Sequence, residues 1–216
     1  MDTLLHDTAV LLFAYTAEEE VGYKNFSESY QVEVNSQIAE ALLQNTLCVA
    51  KSSGLPVMPI LSERQIGANF GERLANAFQE VFAAGYQRVI CIGSDCLTLS
   101  PTDLMLAQEA LSKSPVVVGP ATDGGAYLIG LHIDCFDLGA FSMLNWQTAE
   151  LLNELVLYSY RMQASMGRLT LLEEKADVDS SADLRQQLEA LPVYHTLSRQ
   201  LTTILCNQES PVYTLS

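Results

Sequence analysis

An unbroken apolar run near the N-terminal end, Thr8–Tyr15 (TAVLLFAY), constrains this chain more than any other feature. A strand with no polar face must lie inside a sheet that is covered on both sides. The following segments supply the cover. Asn35–Ser53 carries Ile38, Leu42 and Val49 at helical spacing and stops at Gly54. Leu55–Leu61 is a second short apolar run. Gly71–Ala84 sets Leu74, Phe78 and Val81 on one helical face ahead of Gly85, and Arg88–Gly93 (RVICIG) is a third buried strand. Ser100-Pro101-Thr102-Asp103 predicts a helix start, with serine as N-cap, proline at the first helical position and an acid in the first turn. Val116–Gly119 and Ala126–Leu131 read as strands. Thr148–Met166 reads as a long helix with Leu151, Leu152, Leu155 and Val156 inward, and Leu169–Leu172 as a final strand. Ser181–Leu191 and Leu197–Leu205 are closing helices. Strands alternating with helices predict an α/β fold, a three-layer α/β/α arrangement around a mostly parallel sheet. With no repeat and no Pro/Gly/Ser-rich linker, residues 1–216 are expected to form one domain, with 207–216 a loosely held tail.

Charge narrows the partners. Eleven basic against 26 acidic residues give a formal net charge of −15. Nucleic-acid binding draws its affinity from cations set against phosphates, and anionic membranes repel acids, so neither partner is expected. A small phosphorylated substrate would need a metal ion or a local cluster of donors. No apolar run is long enough to cross a bilayer, and Met1–Asp7 has no basic region before the apolar stretch, so a cytoplasmic location is expected. The five cysteines are odd in number and lack C-x-x-C spacing, which argues against a disulfide framework or a structural zinc site. The apolar helix Leu197–Leu205 leaves oligomerisation open.

Sheets of this kind bind ligands beyond the carboxyl ends of their strands. Asp95, in Gly93-Ser94-Asp95-Cys96, follows the third strand and is placed to bind a divalent cation; capping a turn is the competing role. In Gly119-Pro120-Ala121-Thr122-Asp123-Gly124-Gly125 the paired glycines permit close backbone approach to a ligand, and Asp-Gly is equally an ordinary hairpin turn. Asp177-Val178-Asp179 puts two carboxylates on one face of an extended segment, able to share a metal with Asp95 or simply to begin the next helix. His132 is expected to be structural.

Taken in order, G-S-D-C, a helix, G-P-A-x-D-G-G-A-Y-L-I-G-L, W-x-T and D-V-D-S-x-x-D-L resemble a bacterial family of glycosyltransferase-A-like proteins associated with radical-SAM and selenium domains. Upstream, Gln65-x-Gly67-x-x-Phe70-Gly71-Glu72-Arg73-Leu74 resembles the same family's Q-x-G-x-x-L-G-E-R-M. The match runs from about Thr8 to about Leu184. It implies a nucleotide-diphospho-sugar transferase fold, related to molybdenum-cofactor and phospholactate guanylyltransferases, and a small phosphorylated or nucleotide-linked substrate. By that analogy Asp95 holds Mg²⁺ or Mn²⁺ with Asp177 or Asp179. Asp95 and Asp123 are the catalytic candidates, and Asp123, Gly124 and Gly125 border the acceptor. Gln65, Gly67, Arg73, Trp146 and Thr148 are the remaining candidates for nucleotide or substrate contact. Trp146, the only tryptophan, is as well suited to packing, and Arg73 to an ion pair with Glu72 or Glu80.

The resemblance fails after the first strand. The family's F-A-K-x-P-x-x-G-x-x-K-T-R-L is a basic, glycine-containing loop able to cradle phosphates. Here the stretch is Phe13-Ala14-Tyr15-Thr16-Ala17-Glu18-Glu19-Glu20-Val21-Gly22-Tyr23-Lys24-Asn25-Phe26. Tyrosines replace both lysines, Asn25 replaces the arginine, and three glutamates enter; Gly22 and Lys24 keep their places only if the loop shifts register. Two readings follow: a metal-dependent glycosyl- or nucleotidyltransferase, or a non-catalytic relative that keeps the fold for binding or assembly. A dinucleotide-binding Rossmann protein is rejected, because no G-x-G-x-x-G follows the first strand.

Overall fold

β1 (Thr8–Ala14) is buried at every position, as its composition requires. Its side chains alternate between two cores: Ala9, Leu11 and Phe13 enter one, and Val10, Leu12 and Ala14 the other. The computed structural model describes residues 6–28, 31–162, 169–192 and 195–206. β1 pairs in parallel with β2 (Val57–Leu61) on one side and β3 (Arg88–Ile92) on the other. β4 (Val116–Pro120) and β5 (Ala126–His132) are antiparallel neighbours, and β5 is the one reversed strand among the described residues. β6 (Thr170–Leu171) closes the order β2-β1-β3-β5-β4-β6.

Helices cover both faces. α2 (Val32–Ser52) and α4 (Pro101–Leu111) lie on one side of the sheet. α3 (Phe70–Ala83), α5 (Leu138–Ser142) and α6 (Leu151–Arg161) lie on the other. α7 (Ser181–Ala190) and α8 (Thr196–Cys206) pack outside α2, where Leu184, Leu197 and Leu201 join Ile38, Leu42 and Phe26 in a third cluster. The three-layer α/β/α arrangement with a mostly parallel mixed sheet is thus observed. Among the described residues no helix is long and apolar enough to cross a membrane. None of the five cysteines is in a disulfide: Cys91, Cys96 and Cys135 are buried, Cys48 and Cys206 exposed.

Local chemistry explains the helix boundaries. Ser100 Oγ accepts from the Asp103 N–H while Asp103 Oδ2 accepts from the Ser100 N–H, a reciprocal cap that starts α4. The helix expected over Thr148–Met166 begins only at Leu151: a turn precedes it, in which the Leu151 N–H donates to the Thr148 carbonyl at 3.1 Å. Residues 163–166 of that expectation, the expected tail 207–216 and the first five residues of the N-terminal stretch lie outside the described residues. Two short helices escaped the periodicity, α1 (Ala17–Glu20) and α5, each too brief to display a 3.6-residue repeat.

Gly71 brings α3 against the segment carrying Trp146: a Cβ there would run into the Ser142 carbonyl oxygen and the Trp146 indole. Gly71→Ala is expected to cost about 1–3 kcal/mol through overpacking. A lowered midpoint in chemical denaturation, with unchanged slope, checks this.

Candidate functional site

The carboxyl ends of β1, β3 and β4 open on one rim of the sheet, and a cleft of about 420 Å³ lies there, within the size range of small-ligand sites. Its apolar wall comes from Phe13, Phe70, Ile129, Trp146 and Leu151. Its polar wall is acidic: Glu20, Asp95, Asp123, Asp177 and Asp179 face a single cationic lining residue, Lys24.

Each acid arrives by a different route. Asp95 follows β3, and its carboxylate folds back over Gly93, where a Cβ would lie 2.9 Å from Asp95 Oδ1. The Val178 N–H donates to the Asp95 carbonyl at 2.9 Å, tying the distant Asp177–Asp179 segment to the end of β3. Val178 is fully buried, so the alternation of an extended chain turns Asp177 and Asp179 together towards the cleft. α7 secures this arrangement through the Gln187 side-chain amide, which donates to the Asp177 carbonyl at 2.9 Å.

Lys24 stands between the acids. Its ammonium lies 2.7 Å from Asp95 Oδ2, 2.7 Å from Asp179 Oδ1, 3.2 Å from the Val178 carbonyl and 3.6 Å from Glu20 Oε1. Burial alone would drive the Lys24 pKa down, but Asp95, Asp179 and Glu20 overcome it and raise it above the ordinary lysine value. Burial raises the Glu20 pKa, an effect Lys24 only partly offsets. Asp177 is the least compensated: its Oδ1 is buried without a hydrogen-bond partner. Burial first, then the charge of Asp95, push its carboxyl up to about 8.

The other expected residues divide. Gln65, Asp123, Gly125, Trp146 and Thr148 line the cleft; Gly67, Arg73 and Gly124 do not. Gln65 Nε2 donates to the carbonyls of Ala14 (3.0 Å) and Ile60 (3.3 Å), holding the ends of β1 and β2 together. Asp123 accepts from the Gly125 N–H at 2.8 Å in a turn joining β4 to β5, so the hairpin role and a place at the cleft coexist. Gly124, at φ 90°, is explained by packing, since a Cβ would collide with the Ala149 carbonyl. Gly67, at φ 149°, lies so close to the start of α3 that a Cβ would come 2.6 Å from the Arg73 nitrogen. Arg73 pairs with neither expected glutamate. Glu72 caps its own helix through the Ala68 N–H, Glu80 pairs with Arg64, and Arg73 Nη2 donates to the Tyr15 hydroxyl at 3.3 Å. Trp146 serves packing and lining at once, its indole N–H donating to the Phe141 carbonyl at 3.0 Å. His132 sits at the opposite end of the sheet, paired with Arg88 in the β3–β5 register.

Sequence reasoning missed the roles of Tyr15, Lys24, Phe70 and Gln147 at the cleft. The triple-glutamate stretch is the first turn of α1, with Glu18 and Glu19 exposed and Glu20 alone turned inward. Tyr15 and Tyr23, at the family's lysine positions, stack with ring centroids 4.7 Å apart. Asn25, at the arginine position, bridges to Ser180 and accepts from the Asn35 amide at 2.7 Å. The one local hint at Lys24 was Glu20 four residues before it, a helical spacing; its partners Asp95 and Asp179 lie far along the chain.

The model of the family described as "Uncharacterized protein conserved in bacteria (DUF2064)" matches residues 28–148, more than half of the chain. The chain belongs to this family. The part that matches DUF2064 includes Asp95, Asp123, Trp146 and Thr148, and leaves out Lys24, Asp177 and Asp179. A search among curated proteins found no match. Among solved structures, a protein of Desulfovibrio desulfuricans G20, provisionally described as a nucleotide-diphospho-sugar transferase, aligns at TM-score 0.79 and 20% identity. The alignment covers 94% of this chain and 98% of that one, and shows the shared fold. Weaker likenesses are a manganese complex of Rv0371C from Mycobacterium tuberculosis H37Rv (TM-score 0.44, 14% identity, 85% and 98% coverage) and glucosyl-3-phosphoglycerate synthase from Mycobacterium tuberculosis with Mn²⁺, UDP and glucosyl-3-phosphoglycerate (0.40, 14%, 93% and 79%).

The raised Asp177 pKa fixes the sign of a pH effect. The folded protein binds a proton that the unfolded chain releases between an ordinary 3.8 and about 8, so this group lowers stability as pH rises through that window. Asp177→Asn removes the liability. The variant is expected to melt close to the parent at pH 4 and above it at pH 8.5; thermal melts across that range check the widening gap.

Proposed function

We propose that the cleft binds a nucleotide-linked or otherwise phosphorylated substrate and transfers its glycosyl or nucleotidyl group. The observation that carries the reading is the convergence of Asp95, Asp177 and Asp179, from segments about eighty residues apart in the chain, at the carboxyl rim of the sheet. The fold shared with the Desulfovibrio protein supports it.

A divalent cation suits this donor set in part. Hard oxygen ligands favour Mg²⁺ or Mn²⁺, and the buried, partnerless Asp177 Oδ1 would gain from a positive neighbour. Asp95 and Asp179, however, are already engaged by Lys24, and among the described residues no three acidic, histidine or cysteine side chains stand around one point. The fit therefore holds once the ammonium moves aside. Asp95, Asp177 and Asp179 would then hold the ion, which supplies neutralisation of the charge that develops on the departing phosphate.

The chain's own residues account for the remaining roles. Phe13, Phe70 and Trp146 offer an apolar wall to a flat base or a sugar face and exclude water from it. Asp123, oriented by the Gly125 N–H, is the candidate to take the acceptor's proton.

One observation favours the second reading, a non-catalytic relative. The phosphate-cradling lysines are replaced by the stacked Tyr15 and Tyr23, and the cleft carries five acids against one cation. Thermal-shift titration with nucleoside triphosphates and nucleotide-sugars, with Mn²⁺ or with EDTA, separates the two. A ligand that binds only the folded state must raise its stability, by about 2.7 kcal/mol at a hundred times its Kd. We expect stabilisation by a nucleotide in Mn²⁺ and its loss in Asp95→Asn. No stabilisation by any nucleotide in either condition would leave the non-catalytic reading in possession.

A further inference from the structure

We propose that Lys24 is a tethered competitor for a divalent cation: its ammonium occupies the point between Asp95 and Asp179 in the free protein, and an entering ion displaces it towards Glu20. The inference rests on reading these acids as a cation site and adds how that site is guarded.

Three observations carry it. An ammonium has three protons, and here the carboxylates of Asp95 and Asp179, each at 2.7 Å, and the Val178 carbonyl at 3.2 Å accept them all. Lys24 thus has no proton left for a substrate phosphate, and the two carboxylates have their best-placed oxygens taken. The backbone around Lys24 is pinned, so that only the side chain is free to move. The Lys24 N–H donates to the Glu20 carbonyl at 2.9 Å, Asn25 bridges to Ser180, and Phe26 is 1% exposed in the cluster under α2. A receiving group is already in place. Glu20, one helical turn before Lys24, is buried, and its Oε1 lies 3.6 Å from the ammonium, just beyond hydrogen-bonding range. A short swing of the four-carbon stem would bring Lys24 onto Glu20 and free Asp95 and Asp179 together. The charge change is favourable for an acidic cleft, since the ion adds to the ammonium instead of replacing it: five carboxyls would then face three positive charges, not one.

The arrangement sets a threshold. A cation must outcompete an intramolecular ammonium, so only an ion delivered with a phosphorylated ligand, or present at high concentration, would open the site. Neutral or weakly charged molecules entering the apolar side would leave Lys24 where it is.

Two measurements on the intact protein test this. In the first, Mn²⁺ is titrated into the parent and into Lys24→Met, and free Mn²⁺ is read by electron paramagnetic resonance. Methionine keeps the apolar stem and removes the charge. Binding at least about tenfold tighter in the variant is expected from the loss of one adjacent positive charge. In the second, which needs no variant, the parent is acylated by a lysine-selective reagent with and without saturating Mn²⁺, and labelling is read by mass spectrometry. Lys24 is expected to become several-fold more reactive in Mn²⁺ while Lys113, on the far surface, does not change. Equal or weaker Mn²⁺ binding by the variant, no Mn²⁺ binding by either protein, or a Lys24 that stays protected at saturation would overturn the proposal. A Lys24 that yields to Mn²⁺ in a protein no nucleotide stabilises would uphold it and remove the transferase reading instead.

Discussion

Repulsion among carboxylates gathered in a partly dry cleft is the constraint that the rest of this structure answers. Two like charges a few ångströms apart in a protein environment repel by several kcal/mol, on the order of 4 kcal/mol at 4 Å with an effective dielectric of 20. The chain meets that cost with one ammonium shared by Asp95 and Asp179, while burial beside Asp95 pushes Asp177 towards its protonated form. Backbone geometry keeps the acids from escaping: Val178 is locked inward, and its N–H holds the end of β3. A cluster so constrained is poorly suited to stability alone. Apolar residues of similar volume would serve that purpose without the desolvation penalty.

The architecture was legible because its signals are local and strong. The run Thr8–Ala14 is apolar at every residue and buried at every residue, and the Ser100–Asp103 cap starts a helix where its chemistry says it must. The boundaries that shifted did so for tertiary reasons. The first turn of α6 is met by the turn between β4 and β5, whose Gly124 carbonyl accepts from the Leu152 N–H at 3.1 Å, and nothing in the local sequence announces that. The two residues of β6 are held by pairing with β4, not by any strong preference of their own.

The site was legible only in outline. Asp95 could be nominated because it follows a strand, and Asp177 and Asp179 because alternation along an extended segment turns both to one side, as it does here. The glycines were harder. Gly67 and Gly124 look like ligand-facing glycines in sequence, yet each is needed for a close approach of one part of the backbone to another. Lys24 was the largest omission, and the reason is physical. Its partners lie 71 and 155 residues away, so no window of sequence contains the interaction.

The position of Trp146 has a practical corollary. It is the sole indole of the chain, and it forms part of the apolar wall while its ring packs on Phe70 and Phe141. The protein therefore carries a built-in optical reporter at the place where a guest would sit. Selective excitation of that one chromophore would register occupancy without any label, and its signal would come from the cleft alone.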